Sequence, residues 1–449
     1  MWFRRDLRLA DNPALVEAAR EHDRVVALFV DDAHLRGPAG ANRRWFLAGC
    51  LAELHERTGG NLVVRRDTPV RAVRAVARQA GAEAVYVAED AGPYGTDRDD
   101  EVRRALATDD VELRPVGTPY AVPPGTLFTG GGTPFKVFTP FSRAWRAHGW
   151  DEPVDAPRGV HWVTDVRTDG LPDQPSVTAD LPTPGEQAGR RRLRAFLDGP
   201  VARYADERDA PGRNATSRLS PYLKWGAVHP RQALAGLGRG TGPDTFATEL
   251  AWRDFYADVL LHEPGSARRA LDERMAGIEL DTGAEADERF AAWCEGRTGV
   301  PIVDAGMRQL AGEGWMHNRV RMIVASYLVK DLHIDWTRGA RFFMEHLVDG
   351  DLASNQHGWQ WVAGTGTDAA PYFRVFNPTA QSTRFDPDGT YIRRWVPELA
   401  DVEGKAIHEP PTDGDLLSGP APDYPKPLVD HKEEREEALR RWRRATGRS

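Results

Sequence analysis

Cysteine and long apolar segments are both scarce in this sequence. Cys50 and Cys294 are the only cysteines among 449 residues, which excludes a disulfide framework and a metal cluster held by thiolates. No apolar run approaches the roughly 18 residues that a membrane-spanning helix needs, and the start "MWFRRDLRLADN" lacks the apolar stretch of a secretion signal. We therefore expect a cytoplasmic protein without a membrane partner.

Several ligand-binding signatures are also missing. No GxGxxG follows the first predicted strand and no GxxxxGK[ST] occurs, so neither a standard dinucleotide site nor a P-loop is expected. The 13 His show neither HxxxH nor a carboxylate cluster of ligand spacing, so no metal site is expected. The formal net charge of −8 argues against coating of nucleic acid by the whole surface, although it leaves room for a local basic face.

The pattern of the first 120 residues predicts an α/β domain. Short runs rich in β-branched residues predict strands at 24–30, 61–66, 83–90 and 111–116. Helical periodicity between them predicts helices at 42–57, 69–80 and 97–107. Strands that alternate with helices indicate a parallel, doubly wound sheet. The chain start leaves almost no room for the usual first strand, so this strand is short or the start is late.

The rest of the chain divides into a connector and a helical part. At 449 residues the chain exceeds what one hydrophobic core usually supports, so two domains are expected. Residues 121–185 are rich in Pro and Gly and predict a connector wrapped over the surface, with one ordered island, "FKVFTPFSRAWRAHGW". Helical patterns dominate 186–449. The clearest apolar stripe consists of Val320, Ile323, Val324, Tyr327 and Leu328.

Two polar patterns in the helical part have a functional and a purely structural interpretation. In "GRNATSRLSPYLKWG" (212–226) three hydroxyls and an Arg precede a Pro-initiated helix, which suits a phosphate or pyrophosphate. Plain helix capping by Ser220 is the stronger interpretation from this pattern alone. Asp349 and Asp351 flank a Gly, and they suit either contacts to ribose hydroxyls and a ring N–H or helix capping equally well.

A third pattern lies on the helix with the apolar stripe. Asn318, Arg321 and Met322 are spaced i, i+3, i+4, with Arg319 beside them, so they share a second face. A polar face exposed to water would account for Asn318, Arg319 and Arg321, but not for the apolar Met322.

Tryptophan is concentrated in the helical part, where nine of the 14 occur. Most are expected in the core. Trp252, Trp336, Trp359 and Trp361 stand beside charged or amide groups, where stacking on a flat ligand is an alternative. Together these patterns suggest a helical domain that binds an aromatic cofactor bearing phosphate.

Read in order, these segments resemble the DNA photolyase and cryptochrome family over nearly the whole chain. The matching stretches are "WFRRDLRLADNPAL", "TSRLSPYLKWG", "ELAWRDFY", "GRTGVPIVDAGMRQL", "WMHNRVRM" and "DGDLASNQHGWQWVAGTGTDAAPYFRVFNP". The match looks closest to class I cyclobutane pyrimidine dimer photolyases, because "WMHNRVRM" carries their Asn, Arg and Met. The resemblance implies a Rossmann-like antenna domain over 1–120, a connector over 121–185 and an all-helical catalytic domain over 186–449 that binds FAD and DNA.

The resemblance also implies a set of FAD contacts. Carried over by position, they are Tyr204, Thr216, Ser217, Arg218, Leu219, Ser220, Arg321, Asp349, Gly350, Asp351 and Asn355. Asn355 would lie beside flavin N5. Phe246 replaces a Trp that many relatives place at the flavin.

For the substrate, the resemblance implies light-driven repair of pyrimidine dimers in DNA by electron transfer from excited reduced FAD to a flipped-out dimer. Trp252 and Trp361 would form the walls of the pocket, and Glu249 would hydrogen-bond the pyrimidine edge. Six further residues would complete the site or contact the DNA backbone: Asn318, Arg319, Met322, Arg208, Arg253 and Gln381. A monomer without an obligate protein partner is expected. The alternative function is a blue-light-sensing cryptochrome without repair activity.

Two further features follow from the resemblance. Trp359 and Trp336 match the first two members of a chain of three Trp that recharges FAD, whereas the third position falls near Gly283; Trp293 or a Tyr would have to replace it. The stretch "PYGTDRD" (93–99) resembles binders of 8-hydroxy-5-deazaflavin, with methenyltetrahydrofolate as the alternative second chromophore. Asp99 is the candidate antenna contact.

Overall fold

A computed structural model of the chain describes residues 1–367, 373–411 and 423–447. All strand pairs in it are parallel: β1 lies beside β3, β3 beside β4, β5 beside β6, and β2 beside β7. The strands are β1 (Trp2–Phe3), β2 (Arg24–Val25), β3 (Ala27–Val30), β4 (Leu62–Arg65), β5 (Ala84–Val87), β6 (Glu112–Pro115) and β7 (His161–Trp162). The expected parallel sheet and its short first strand are confirmed.

The helices of the α/β part alternate with these strands. They are α1 (Pro13–Glu21), α2 (Ala33–Arg36), α3 (Ala41–Arg57), α4 (Pro69–Ala80) and α5 (Pro93–Ala107). Each predicted strand contains an observed strand, although the first prediction covers two strands separated at Val26. Helix α5 begins four residues before its prediction, because Pro93 occupies the first helical position, where a missing N–H has no cost.

From residue 121 onward the described chain is mostly helical. Its helices are α6 (Phe138–His148), α7 (Glu186–Leu197), α8 (Tyr204–Glu207), α9 (Ser220–Trp225), α10 (Pro230–Ala235), α11 (Thr241–His262), α12 (Ala284–Cys294), α13 (Pro301–Glu313), α14 (Asn318–Lys330), α15 (Trp336–His346), α16 (Leu352–Ala363), α17 (Pro378–Phe385), α18 (Thr390–Trp395) and α19 (His431–Thr446). Short 3₁₀ turns occur at Pro200–Arg203, Pro264–Ala267, Glu273–Gly277, Pro397–Leu399 and Gly404–His408. The predicted apolar stripe of α14 is buried throughout. Within the described ranges, no helix combines the length and the apolar character of a membrane crossing.

The ordered island of the connector is α6, and it is part of the core. Phe138, Phe141 and Trp145 are buried in the same cluster as residues of the α/β sheet and of α7 to α11. The prediction of a connector lying only over the surface is therefore wrong for this helix. Its aromatic side chains pack on α11, because their burial removes a large apolar area from water.

The α/β part docks directly on the helical part. The loop after β1 reaches the end of α9, where the Leu7 amide donates to the Trp225 carbonyl over 3.1 Å and Arg8 Nη1 donates to the Gly226 carbonyl over 2.9 Å. Gly226 has φ of +64°, and a Cβ there would lie 1.9 Å from the Arg5 carbonyl oxygen. Only glycine permits this close approach.

Candidate cofactor and substrate site

The loop before α9 contains a residue with an uncommon backbone conformation. Arg218 has φ of +50°, a left-handed value that is uncommon outside glycine. Arg192 holds the loop by donating from Nε to the Ser217 carbonyl over 2.8 Å. The N-cap residue of α9 is Leu219, and no side chain caps the helix. The capping interpretation of Ser220 is therefore wrong: Ser220 is the first helical residue.

The side chains of this loop reach the segment before α14. Ser220 Oγ accepts from Trp315 Nε1 over 3.2 Å, and the Arg218 guanidinium lies 4.5 Å above the Trp315 ring. Arg218 also pairs with Glu313 over 3.3 Å. Leu219 is buried, while Thr216 and Ser217 are half-buried. The candidate phosphate loop and the start of α14 thus form one polar surface.

Tyr204, an expected cofactor contact, lies against Phe246. Tyr204 is buried on α8, and its ring meets the ring of Phe246 edge-on at 5.4 Å between centroids. Burial raises the pKa of the Tyr204 hydroxyl, so it stays protonated and able to donate a hydrogen bond. Phe246 therefore packs against Tyr204, a residue that is expected to contact the cofactor.

Asp349 is the strongest sign that the helical part holds a polar ligand. Its Oδ2 accepts from Arg321 Nη2 over 2.8 Å, while Arg321 Nε donates to the Met316 carbonyl over 2.8 Å. Asp349 Oδ1 is buried and has no hydrogen-bond partner within the described residues. Because an unsatisfied buried carboxylate oxygen is unfavourable, a ligand that donates an N–H or O–H fits here. FAD offers both kinds of donor.

Asp351 has the helix-capping role, one of the two roles that its sequence pattern suited equally well. It is the N-cap of α16, accepting from the Ser354 amide over 3.1 Å, and its other oxygen pairs with Arg5. Lys224 Nζ lies 4.0 Å from the same carboxylate. Although burial acts in the opposite direction, the cations Arg5 and Lys224 hold the pKa of Asp351 well below its usual range. The described contacts of this side chain are with Arg5, Lys224 and the Ser354 amide, and the expected flavin or ribose contact stays a prediction. The adjacent Gly350 is buried against Arg43.

Asn355 and Trp359 lie one turn apart on α16 and both face α15. Asn355 Nδ2 donates to the Ala340 carbonyl over 3.1 Å. Trp359 is buried, and a Cβ on Gly339 would come within 2.2 Å of its ring. The Trp359 centroid lies 6.2 Å from that of Trp293. Trp336 is also buried, but no described aromatic ring makes a comparable contact with it.

Helix α11 carries the expected substrate residues Glu249 and Trp252. Glu249 forms an ion pair with Arg208. Burial raises the pKa of Glu249 despite this neighbouring cation. Arg319, at the start of α14, pairs with Asp209 over 2.9 Å. The structure thus brings Glu249 and the two arginines into one charged cluster.

The remaining predicted DNA contacts differ in exposure. Asn318 is exposed, whereas Met322, Trp361 and Gln381 are half-buried. Arg253 is not at a rim: it donates to the Pro119 carbonyl over 2.9 Å and lies 4.4 Å above the Tyr120 ring. A guanidinium so enclosed is satisfied inside the protein and unavailable to a phosphate.

A cavity of about 680 Å³ lies between the α/β part and α9, α11 and α16. Its walls include Tyr94, Tyr120, Arg5 and Lys224. Burial, together with the neighbouring cation Arg5, lowers the pKa of Lys224 to about 7. Sequence analysis missed Arg5 and Lys224, although both stand in the quoted motifs "WFRRDLRL" and "LKWG".

Asp99 is not among the residues that line this cavity. Its carboxylate pairs with Arg4 and Arg98, which do line it. The expectation that Asp99 contacts a second chromophore directly is therefore not supported. Asp90, nine residues earlier in the chain, lines the cavity instead. Across the described ranges, no group of three or more His, Cys, Asp or Glu could hold a metal ion.

Comparison with known proteins places this architecture in a family. Residues 1–158 match the family model described as DNA photolyase, and residues 246–444 match the FAD binding domain of DNA photolyase. A deoxyribodipyrimidine photo-lyase from Streptomyces griseus is 46% identical over 99% of this chain and 98% of that relative. A bacterial class III photolyase from Agrobacterium tumefaciens has a TM-score of 0.91 at 36% identity, over 99% of this chain and 97% of the other.

An archaeal photolyase from Sulfolobus tokodaii, solved with two FAD molecules, has a TM-score of 0.86 at 32% identity over 99% of both chains. The chain belongs to the DNA photolyase family. It is an FAD-dependent photo-lyase, which confirms the expected enzyme class and cofactor. The finer expectation of class I stays a prediction.

Proposed function

We propose that this protein repairs cyclobutane pyrimidine dimers in DNA when illuminated. The observation that supports the proposal is that two candidate sites are adjacent on α14. At the first, Arg321 binds Asp349, whose carboxylate is only partly hydrogen-bonded. At the second, Arg319, two residues earlier, adjoins the charged cluster that contains Glu249. A cofactor held at the first site would therefore lie close to a substrate held at the second. FAD supplies light-driven electron transfer when it is bound and reduced.

The protein's own residues would hold the cofactor from three sides. The loop at 216–220 would bind phosphate through Arg218 and the uncapped amides of α9. Asp349 Oδ1 would accept from a cofactor donor, and Asn355 would lie near the reacting end of the ring. Tyr204 would close the site with its protonated hydroxyl.

The dimer would bind on α11. The flat ring of Trp252 would stack on a pyrimidine that has left the duplex. Glu249, held in place by its ion pair with Arg208, would hydrogen-bond the edge of the pyrimidine. Arg208 and Arg319 would attract the neighbouring phosphates, so binding should weaken as the salt concentration rises.

Comparison of two lesions tests the specificity. The reduced protein would be illuminated with oligonucleotides that carry either a cyclobutane dimer or a (6-4) photoproduct. Loss of the cyclobutane lesion alone is expected, because the segment "WMHNRVRM" carries the Asn, Arg and Met of cyclobutane dimer enzymes, whereas (6-4) enzymes usually place His residues in that segment. Loss of the (6-4) lesion alone would contradict the proposal.

The 680 Å³ cavity is proposed to hold a second, light-harvesting chromophore. Its volume lies in the usual range for small-molecule sites, and the rings of Tyr94 and Tyr120 offer flat surfaces. Arg5 and Lys224 favour an anionic ring or substituent. The stretch 93–99 favours 8-hydroxy-5-deazaflavin over methenyltetrahydrofolate, and FAD is a third possibility because the archaeal relative was solved with two FAD molecules.

A further inference from the structure

We infer that Phe138, on the connector helix α6, is a positioning residue of the substrate pocket; the inference rests on the proposed binding of a dimer against Trp252. The rings of Phe138 and Trp252 are stacked, with 3.6 Å between their centroids and 8° between their planes. Phe138 is buried, whereas Trp252 is only half-buried. One face of the Trp252 ring is thus covered by protein.

Helix α6 is fixed to α11 independently of that stack. Trp145 Nε1 donates to Asp254 over 2.9 Å, and Arg146 Nη2 donates to Thr248 Oγ1 over 2.9 Å. Asp254 also accepts the amide of Ala121 over 3.0 Å. These contacts lie on both sides of Trp252 in the sequence of α11. Phe138 is therefore held in place by the same helix whose Trp it covers.

The stack determines how Trp252 can meet a base. A ring covered on one face at stacking distance can accept a second flat partner only on the opposite face. Tyr256, one turn further along α11, lies 5.3 Å from the Trp252 centroid and limits rotation of the ring. Because Trp252 is already oriented, less side-chain freedom is lost when a dimer binds. Phe138 acts through Trp252 and need not touch the dimer.

The test is dark binding of the full-length FAD-loaded protein to a dimer-containing oligonucleotide and to its undamaged counterpart. Phe138→Leu removes the flat partner of Trp252 but keeps an apolar side chain. It should weaken dimer binding roughly 2- to 10-fold, the range expected for the loss of one aromatic pair. Binding of undamaged DNA should change less than dimer binding, so the ratio of the two affinities should fall. Phe138→Tyr, which keeps the ring, should restore that ratio.

Phe141→Leu is the matched control, because Phe141 lies on the same helix and packs on Phe255 with 5.1 Å between centroids. It should leave the ratio unchanged. If Phe138→Leu fails to fold, Phe138→Met serves the same comparison, since Met fills a gap without presenting a ring. An unchanged ratio in the Leu and Met variants, an equal loss in Phe141→Leu, or no restoration by Phe138→Tyr would each overturn the inference. If the unaltered protein itself does not prefer the dimer, the proposed function fails instead.

Discussion

Asp349 and Lys224 are two residues whose surroundings bear on ligand binding. Asp349 is buried with one oxygen unsatisfied among the described residues, and Lys224 is a cation whose pKa is lowered to about 7. The sequence pointed to Asp349 through a family motif. It gave no local signal for Lys224, because the burial and the neighbouring Arg5 that change its pKa come from a distant part of the chain.

Asp349→Asn should weaken the retention of FAD. The substitution keeps the size of the side chain but removes the charge that pairs with Arg321, and a charge-assisted hydrogen bond to the cofactor would be lost. Since such bonds contribute about 1.5–3 kcal/mol, the dissociation constant should rise about tenfold or more. The measurement is the FAD released on ultrafiltration, with Asp335→Asn, at the N-cap of α15, as the control. Equal retention by both variants would contradict the assignment of Asp349 to the cofactor site.

Lys224 should show the pH dependence of a lysine with a lowered pKa. Its neutral, reactive fraction should be nearly complete above pH 8, whereas a free lysine side chain, with a pKa of about 10.4, continues to gain neutral amine beyond pH 10. The rate of acetylation by acetic anhydride, followed by peptide mass spectrometry, should therefore level off above pH 8 at Lys224 and continue to rise for a short lysine-containing reference peptide in the same solution. A rate at Lys224 that climbs in parallel with that of the reference peptide would contradict the lowered pKa. Protection by 8-hydroxy-5-deazaflavin but not by FAD would identify the cavity's chromophore.

Helix α16 links the 680 Å³ cavity to helix α15. Leu352 and Ala353 line the cavity beside the α/β part, while Asn355 and Trp359 face α15. Helix α14 could be predicted because the spacing of its apolar residues is local. The contacts of α16 could not, since the ion pair of Asp351 with Arg5 and the ring contact of Trp359 with Trp293 join residues far apart in the sequence. The ordered segment that forms α6 could likewise be predicted from its local sequence. The stacking of Phe138 on Trp252 could not, because these residues are far apart in the sequence.

The aromatic contact between α12 and α16 predicts an electron route. Gly283, where the family's third Trp is expected, directly precedes α12, and Trp293 on that helix lies 6.2 Å from Trp359 between ring centroids. We expect Trp293→Phe to slow photoreduction of oxidised FAD, because Phe is much harder to oxidise than Trp. Trp336→Phe tests the originally predicted route in parallel. Both variants should still repair dimers after chemical reduction.

The measurement is the rate of loss of the oxidised FAD absorbance under blue light with an external reductant. Unchanged photoreduction in Trp293→Phe, together with slow photoreduction in Trp336→Phe, would assign the route to Trp336 and contradict the role of Trp293.

At the scale of the whole molecule, the α/β part and the helical part share a core as well as a cavity. The first core cluster contains residues of the sheet, of α6 and of α7 to α11, while a second cluster lies within α12 to α18 and the segments after them. The order of strands and helices predicted this two-part architecture. Composition could not predict the close docking, which depends on single contacts such as that of Gly226 with the Arg5 carbonyl. The net charge of −8 likewise does not reveal where individual cations such as Arg208 and Arg319 lie.

The most direct test of the account is light-dependent loss of cyclobutane dimers from a thymine oligonucleotide. The purified protein, with FAD bound and reduced, would be mixed with the damaged oligonucleotide, and thymine absorbance would be followed during blue illumination. A dark sample and the Trp252→Ala variant provide the controls. The account predicts recovery of absorbance only in the illuminated sample, with much slower recovery in the variant. Dimers that persist under light, while FAD is bound and reduced, would contradict it.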